Sequence, residues 1–168
     1  MNAGVKKKGE GVMNQQQRAC MVERWGDMVW RLALARTGKL QDAEDIFQEV
    51  FLRFFRHEGR LTTAEHQKAW LIRCTVNRAK SLASAPWRRR VLPMELAAQL
   101  SVPEPDRAVY AAVLALPAPY RTVIHLHYFE GLSVAEIAAA CGCAQGTVKS
   151  RLSRGRGLLR ASLKEVDL

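Results

Sequence analysis

The chain has 168 residues, of which 48% are hydrophobic and 25% charged, a balance that supports a packed core and excludes a chain disordered along its whole length. Its 26 basic against 16 acidic residues leave a formal charge of +10, which favours a polyanionic partner, either nucleic acid or an anionic membrane face. No uninterrupted apolar run nears the roughly 20 residues needed to span a bilayer.

Residues 1–17 are rich in Gly, Lys and Gln and are expected to form a disordered tail. Lys6, Lys7 and Lys8 lead into polar sequence rather than the apolar segment of a secretory signal. From Arg18 to Arg36, Val22, Trp25, Val29 and Leu32 recur at three- and four-residue spacing and predict a helix, closed by Gly38 as a C-cap. A second helix is predicted from Leu40 to Arg56, with Ile46, Val50, Phe51, Phe54 and Phe55 as its broad apolar face. After a polar break at Gly59 to Thr63, a third helix over Ala64 to Ser84 is expected to turn Trp70, Leu71, Cys74 and Leu82 inward.

Composition then shifts. Pro86, Pro93, Pro103 and Pro105 fall close together, with Arg88, Arg89 and Arg90 near the front of the stretch. Prolines at this density end helices and stiffen a connector, so residues 87–105 read as an interdomain linker, with one short helical turn at Met94 to Gln99. Beyond it, helices are predicted at Asp106–Ala115, Ala118–Phe129, Ser133–Ala140 and Ala144–Leu163. No sustained period-two pattern suggests a strand. The expected fold is all-α, in two small helical domains at residues 18–86 and 106–165.

The segment Ser133 to Arg160 carries the most chemistry. Ser133 and Glu136 have the spacing of a capping box. Ala135, Ile137, Ala138 and Ala139 make a short helix of small residues that permits close crossing. Gly142 supplies a tight turn, and Val148, Leu152 and Leu159 form the inward stripe of the following helix. Gln145, Lys149, Ser150, Ser153 and Arg154 are left outward, and Lys149, Arg151, Arg154, Arg156 and Arg160 add positive charge with no acidic residue among them. A solvated basic face is the bland alternative. The conjunction of cap, glycine turn, apolar stripe and unbroken positive charge describes a helix-turn-helix whose second helix enters a major groove.

The Cys141-Gly142-Cys143 corner with His125 and His127 nearby raises a metal reading. The two histidines, two apart on a helix, point to nearly opposite sides, and neither pair has ligand spacing. No metal and no cofactor are expected. Cys141 and Cys143 are read as small apolar residues under the turn, and with Cys20 and Cys74 they lack the density of a disulfide scaffold, so a cytoplasmic setting is expected.

Leu116 to Arg160 resembles region 4 of bacterial sigma-70 family factors. Asp42 to His57, with its DIFQE sequence, resembles region 2.2, and Lys68 to Arg90 resembles the end of region 2. The two-domain layout, with little between, is similar to the extracytoplasmic-function (ECF) group. The resemblance implies that Asp45, Gln48 and Glu49 dock on the β′ clamp helices of core RNA polymerase, and spacings of three and four do place them on one helical face. It implies that Asn77 grips a flipped base of the −10 element, since an amide can pair with a base edge by donating and accepting at once. Residues 60–67 would complete that pocket, without the aromatic residue that many relatives carry there. Arg73, Arg78 and Lys80 would support phosphates or the single strand.

In region 4 the resemblance places −35 recognition on Thr147, Lys149, Ser150, Ser153 and Arg154, with Arg151 and Arg156 toward phosphate. Arg88 to Arg90 would meet DNA at the upstream fork or form a solvated basic run. Gly155 and Gly157, costly inside a helix at about 1 kcal/mol each, either permit a close backbone approach or let the helix end fray. The family further implies contact with the polymerase β flap and restraint by an anti-sigma factor. The chain would direct promoter-specific initiation without covalent chemistry of its own. No Glu-x-x-His pair, nucleophile elbow or phosphate-cradling glycine loop occurs in it. A stand-alone helix-turn-helix regulator is the alternative.

Overall fold

Local sequence signals account for most helix boundaries in the computed structural model, which describes residues 13–57, 60–82 and 104–166. The linker up to residue 103 lies outside the described residues, as do the Met94–Gln99 turn, Arg88 to Arg90 and the expected end of the third helix at Ser84.

Helix α1 spans Gln15–Thr37 and begins inside the segment expected to be tail. A capping box starts it: Gln17 N–H donates to Asn14 Oδ1 at 2.9 Å, and Asn14 N–H donates to Gln17 Oε1 at 2.9 Å. Gly38 ends it in the left-handed region at φ 65°, with its N–H on Leu34 O. Helix α2 spans Leu40–His57 and α3 spans Ala64–Leu82. These three pack on one another. Ile46, Val50, Phe51 and Phe54 are buried as the spacing predicts, and Phe55 lies half-buried beside them. Each such large side chain contributes roughly 1.5–3 kcal/mol by leaving water.

The buried stripe of α3 differs from expectation. Leu71 is buried, but its companions are Ile72, Thr75, Val76 and Ala79, while Trp70, Cys74 and Leu82 are only half-buried. The reason is that α3 is covered on two sides, by α1 and α2 and also by a helix of the second half.

The second half comprises α4 (Glu104–Ala115), α5 (Ala118–Tyr128), α6 (Val134–Cys141) and α7 (Gln145–Val166). Among the described residues there are these seven helices and no strand, and no helix is long and apolar enough to cross a membrane. Helix α7 packs on α4, α5 and α6. Helix α1 also packs along α5, and α3 against α6, so the buried apolar residues of both halves form one continuous cluster.

Candidate functional site

The helix-turn-helix is built as its residues dictate. Ser133 Oγ accepts from Glu136 N–H at 3.3 Å, and Glu136 Oε2 accepts from Ser133 N–H at 2.8 Å, closing the capping box. Hydrogen bonds from the Ser133 hydroxyl and backbone hold the Glu136 carboxyl below its ordinary pKa. Gly142 turns the chain at φ 63°, and Cys143 N–H reaches back to Ala138 O at 3.1 Å. Cys141 is buried under this corner and Cys143 half-buried, and burial raises the Cys141 thiol pKa.

On α7, Val148 and Leu152 are buried and Leu159 is half-buried. Lys149, Ser150, Ser153 and Arg154 are all exposed along the opposite face, with Thr147 and Arg151 half-buried at its edges. Gly155 is buried: a Cβ built there would lie 2.9 Å from Ile124 Cγ1, so the helix backbone itself touches α5. Of the two readings left open for this glycine, close approach is the one realised. At Gly157 nothing lies within 4 Å. A face of short and long polar groups over a rigid apolar base is what a groove-reading helix requires.

On α3, Arg73, Asn77 and Lys80 are exposed at spacings of four and three, and so share one stripe. Arg78 stands apart from them. Its guanidinium donates to Glu49 on α2 and to Ser81 Oγ at 2.9 Å. Glu49 also pairs with Arg53, one turn further along α2, and is half-buried, whereas Asp45 and Gln48 are exposed. The next residue of that stripe, Leu52, is 60% exposed, a large apolar side chain presented to solvent among polar neighbours. Its position at Gln48 + 4 carried the signal, but a search for polar groups passes over it. The segment before α3 is pinned, since Gln67 Nε2 donates to Leu61 O at 3.2 Å and Gln67 Oε1 accepts from Trp25 Nε1 at 3.2 Å.

The two histidines diverge as expected. His125 is fully buried, 3.2 Å from Glu130 and stacked on Phe129, while His127 Nδ1 lies 2.9 Å from Leu132 O.

A second surface has no counterpart among the sequence expectations. Val109, Val113, Tyr128, Phe129, Leu159 and Leu163 line an open groove of about 560 Å³ between α4, α5 and α7. Arg156, Arg160 and Lys164 form its rim at four-residue spacing. Arg156, expected toward phosphate, borders this groove, with Nη1 3.4 Å from Tyr128 Oη. Tyr128 and Phe129 expose their aromatic rings along this groove.

Comparison with known proteins agrees with both halves. Residues 21–89 match Sigma-70 region 2, and residues 106–159 match Sigma-70, region 4. The ECF RNA polymerase sigma factor SigL of Mycobacterium tuberculosis is 37% identical over 151 residues, covering 84% of this chain and 85% of that protein. SigW of Bacillus subtilis is 30% identical over 182 residues, covering 95% and 94%. Among solved structures, the sigma factor RpoE of Bartonella quintana, in complex with the anti-sigma factor NepR, aligns with a TM-score of 0.68 at 26% identity. That alignment covers 87% of this chain and 96% of RpoE. CnrH, in complex with the cytosolic domain of CnrY, aligns at 0.63 and 26% identity, covering 90% of each chain. With both regions present in order and relatives matched over most of their length, the chain belongs to the sigma-70 family, as an RNA polymerase sigma factor of the ECF group.

Proposed function

We propose that this sigma factor divides its work by face. Residues 18–86 bind core polymerase through Asp45, Gln48, Glu49 and Leu52, and present Arg73, Asn77 and Lys80 to the −10 element, where Asn77 captures an unstacked base. Residues 106–165 read the −35 element with Lys149, Ser150, Ser153 and Arg154, while Thr147 and Arg151 meet the backbone. The groove between α4, α5 and α7 receives an amphipathic segment of the polymerase β flap, its basic rim meeting acidic side chains. Arg78 supports the core-binding face through Glu49 rather than touching nucleic acid directly. The linker, residues 87–105, joins the two units. The protein acts in the cytoplasm, and a protein inhibitor restrains it, as the complexes of RpoE with NepR and of CnrH with CnrY suggest.

The observation that carries this reading is the two-sidedness of α7. Its buried side is locked by Val148, Leu152 and Gly155, so the exposed stripe is rigidly aimed. The test is run-off transcription with purified core polymerase on a promoter library, together with binding to duplex alone. A sigma factor binds core polymerase tightly and isolated promoter duplex weakly. Binding of an isolated operator at roughly nanomolar affinity, with no stimulation of core polymerase, would establish the stand-alone regulator instead. Within that assay, Asn77→Ala is expected to reduce open-complex formation while leaving core binding intact.

A further inference from the structure

Helix α5 buries an imidazole where an apolar side chain would fill the same space without polar cost. His125 is fully buried, and its Nε2 stands 3.2 Å from Glu130 Oε1. The contact is not aligned as a hydrogen bond: among the described residues both imidazole nitrogens and that oxygen lack a hydrogen-bond partner. Burying such groups is costly unless opposite charges hold them together. On its flat face the imidazole stacks on Phe129, with centroids 5.3 Å apart and planes inclined by 13°. Phe129 meets Tyr110 edge-on at 5.1 Å, and Tyr110 meets His125 at 6.3 Å, so the three rings form a closed triangle. Two corners of it are buried. The third, Phe129, is 41% exposed and lines the groove between α4, α5 and α7.

The other polar groups around the pair have their own partners or stay uncharged. Arg31 of α1 reaches Glu130 Oε1 at 3.8 Å, and Lys68 of α3 donates to the Glu130 carbonyl at 2.7 Å. Arg121 of α5 donates to Leu114 O, and Arg156 of α7 contacts Tyr128 Oη. Burial pushes the Tyr110 hydroxyl above its ordinary pKa, so it stays neutral. Histidine is the side chain that ordinarily gains or loses its charge near neutral pH. A second proton on His125 turns its contact with Glu130 into a pair of opposite charges.

We infer that His125 is a positioning residue for the groove: set against Glu130, its imidazole holds the Phe129 ring in place, and its charge decides how firmly. The occupant of the groove rests on the reading proposed above; the hold on Phe129 does not. With the proton on, attraction to Glu130 fixes the imidazole and the ring stacked on it, so less ordering remains when an apolar segment docks. With the proton off, that attraction is lost and Phe129 is freed to turn. Docking in the groove therefore strengthens as pH falls through neutrality.

The test labels the full chain with 4-fluorophenylalanine. Four of the five phenylalanines lie on α2, so Phe129 gives a resonance apart from them, identified by its loss in Phe129→Leu. In the free protein that resonance is expected to move between about pH 6 and pH 8, and to stand still in His125→Leu and Glu130→Gln. A stationary wild-type resonance, or movement that survives either variant, overturns the coupling, even where the other variant fails to fold. His125→Leu fills the same space without charge, and its unfolding midpoint is expected to equal or exceed that of the wild type. With core polymerase it is nevertheless expected to lower transcription from a promoter with both elements severalfold at about pH 6, the deficit closing toward about pH 8. Transcription equal to wild type at both pH values, or a deficit matched by a fallen midpoint, overturns the positioning role. With core polymerase lacking the flap segment, wild type and variant are expected to transcribe alike. A difference that persists there, beside the expected fluorine signal, overturns the flap as occupant and leaves the hold on Phe129 standing. A failure of the sigma-factor reading would show separately, as absence of core binding and run-off product with the wild type.

Discussion

Gly155 of α7 lies directly against Ile124 of α5: a Cβ on the glycine would stand 2.9 Å from Ile124 Cγ1 and 3.3 Å from Cδ1. Ile124 is itself 1% exposed. Gly155→Ala is expected to destabilise the protein by about 1–3 kcal/mol through overpacking, more than the ~1 kcal/mol that alanine gains in helix propensity. Gly157→Ala meets nothing within 4 Å and is expected to stabilise by up to about 1 kcal/mol. Urea unfolding of the two variants checks this; shifts of the same sign would refute the contact.

The Ser133–Glu136 box governs where α6 starts. Ser133→Ala is expected to cost about 0.5–2 kcal/mol at neutral pH. The Glu136 carboxyl is held below its ordinary value of 4.5 by the Ser133 hydroxyl and backbone. A carboxylate depressed on folding contributes stability above its unfolded pKa and loses it as pH falls through the folded one. The gap between wild type and Ser133→Ala should therefore narrow below pH 4.5. Unfolding curves at neutral and acidic pH measure it.

Leu52 presents an apolar side chain beside Asp45, Gln48 and Glu49. Its 60% exposure means that little folding energy depends on it. Leu52→Ala is expected to weaken core polymerase binding about tenfold, roughly 1.4 kcal/mol, while the unfolding midpoint stays in place. A titration against labelled core polymerase separates the two effects.

Arg154 and Arg151 should part company in DNA recognition. Arg154 is exposed in the middle of the α7 stripe, and Arg151 is half-buried at its edge. Arg154→Ala is expected to cost about 1–3 kcal/mol and relax one position of the upstream element, whereas Arg151→Ala should weaken all sequences alike and flatten the salt dependence. Promoter-variant transcription at two salt concentrations distinguishes these outcomes.

Features that depend on neighbours three or four residues apart are legible in the sequence alone. The Ser133–Glu136 box, the Gly142 corner, the Val148–Leu152 stripe and the apolar face of α2 are set by side chains that meet within one or two helical turns. The start of α1 is equally legible in principle, because Asn14 and Gln17 have capping-box spacing, but the polar composition around them masks it. The buried face of α3 is not legible, because a helix covered on two sides buries residues that one period cannot assign.

The sequence by itself therefore determined the helices, the helix-turn-helix and the segregation of positive charge onto its second arm, since each follows from local geometry. Tertiary packing decided what lay between distant segments. It set Gly155 against Ile124, turned Arg78 toward Glu49, tied Lys80 to Cys141, and opened the groove that Arg156, Arg160 and Lys164 border. The physical reason is that partners 29 to 61 positions apart meet only when whole helices choose their crossing partners, a choice made by summed burial over many side chains rather than by any local spacing.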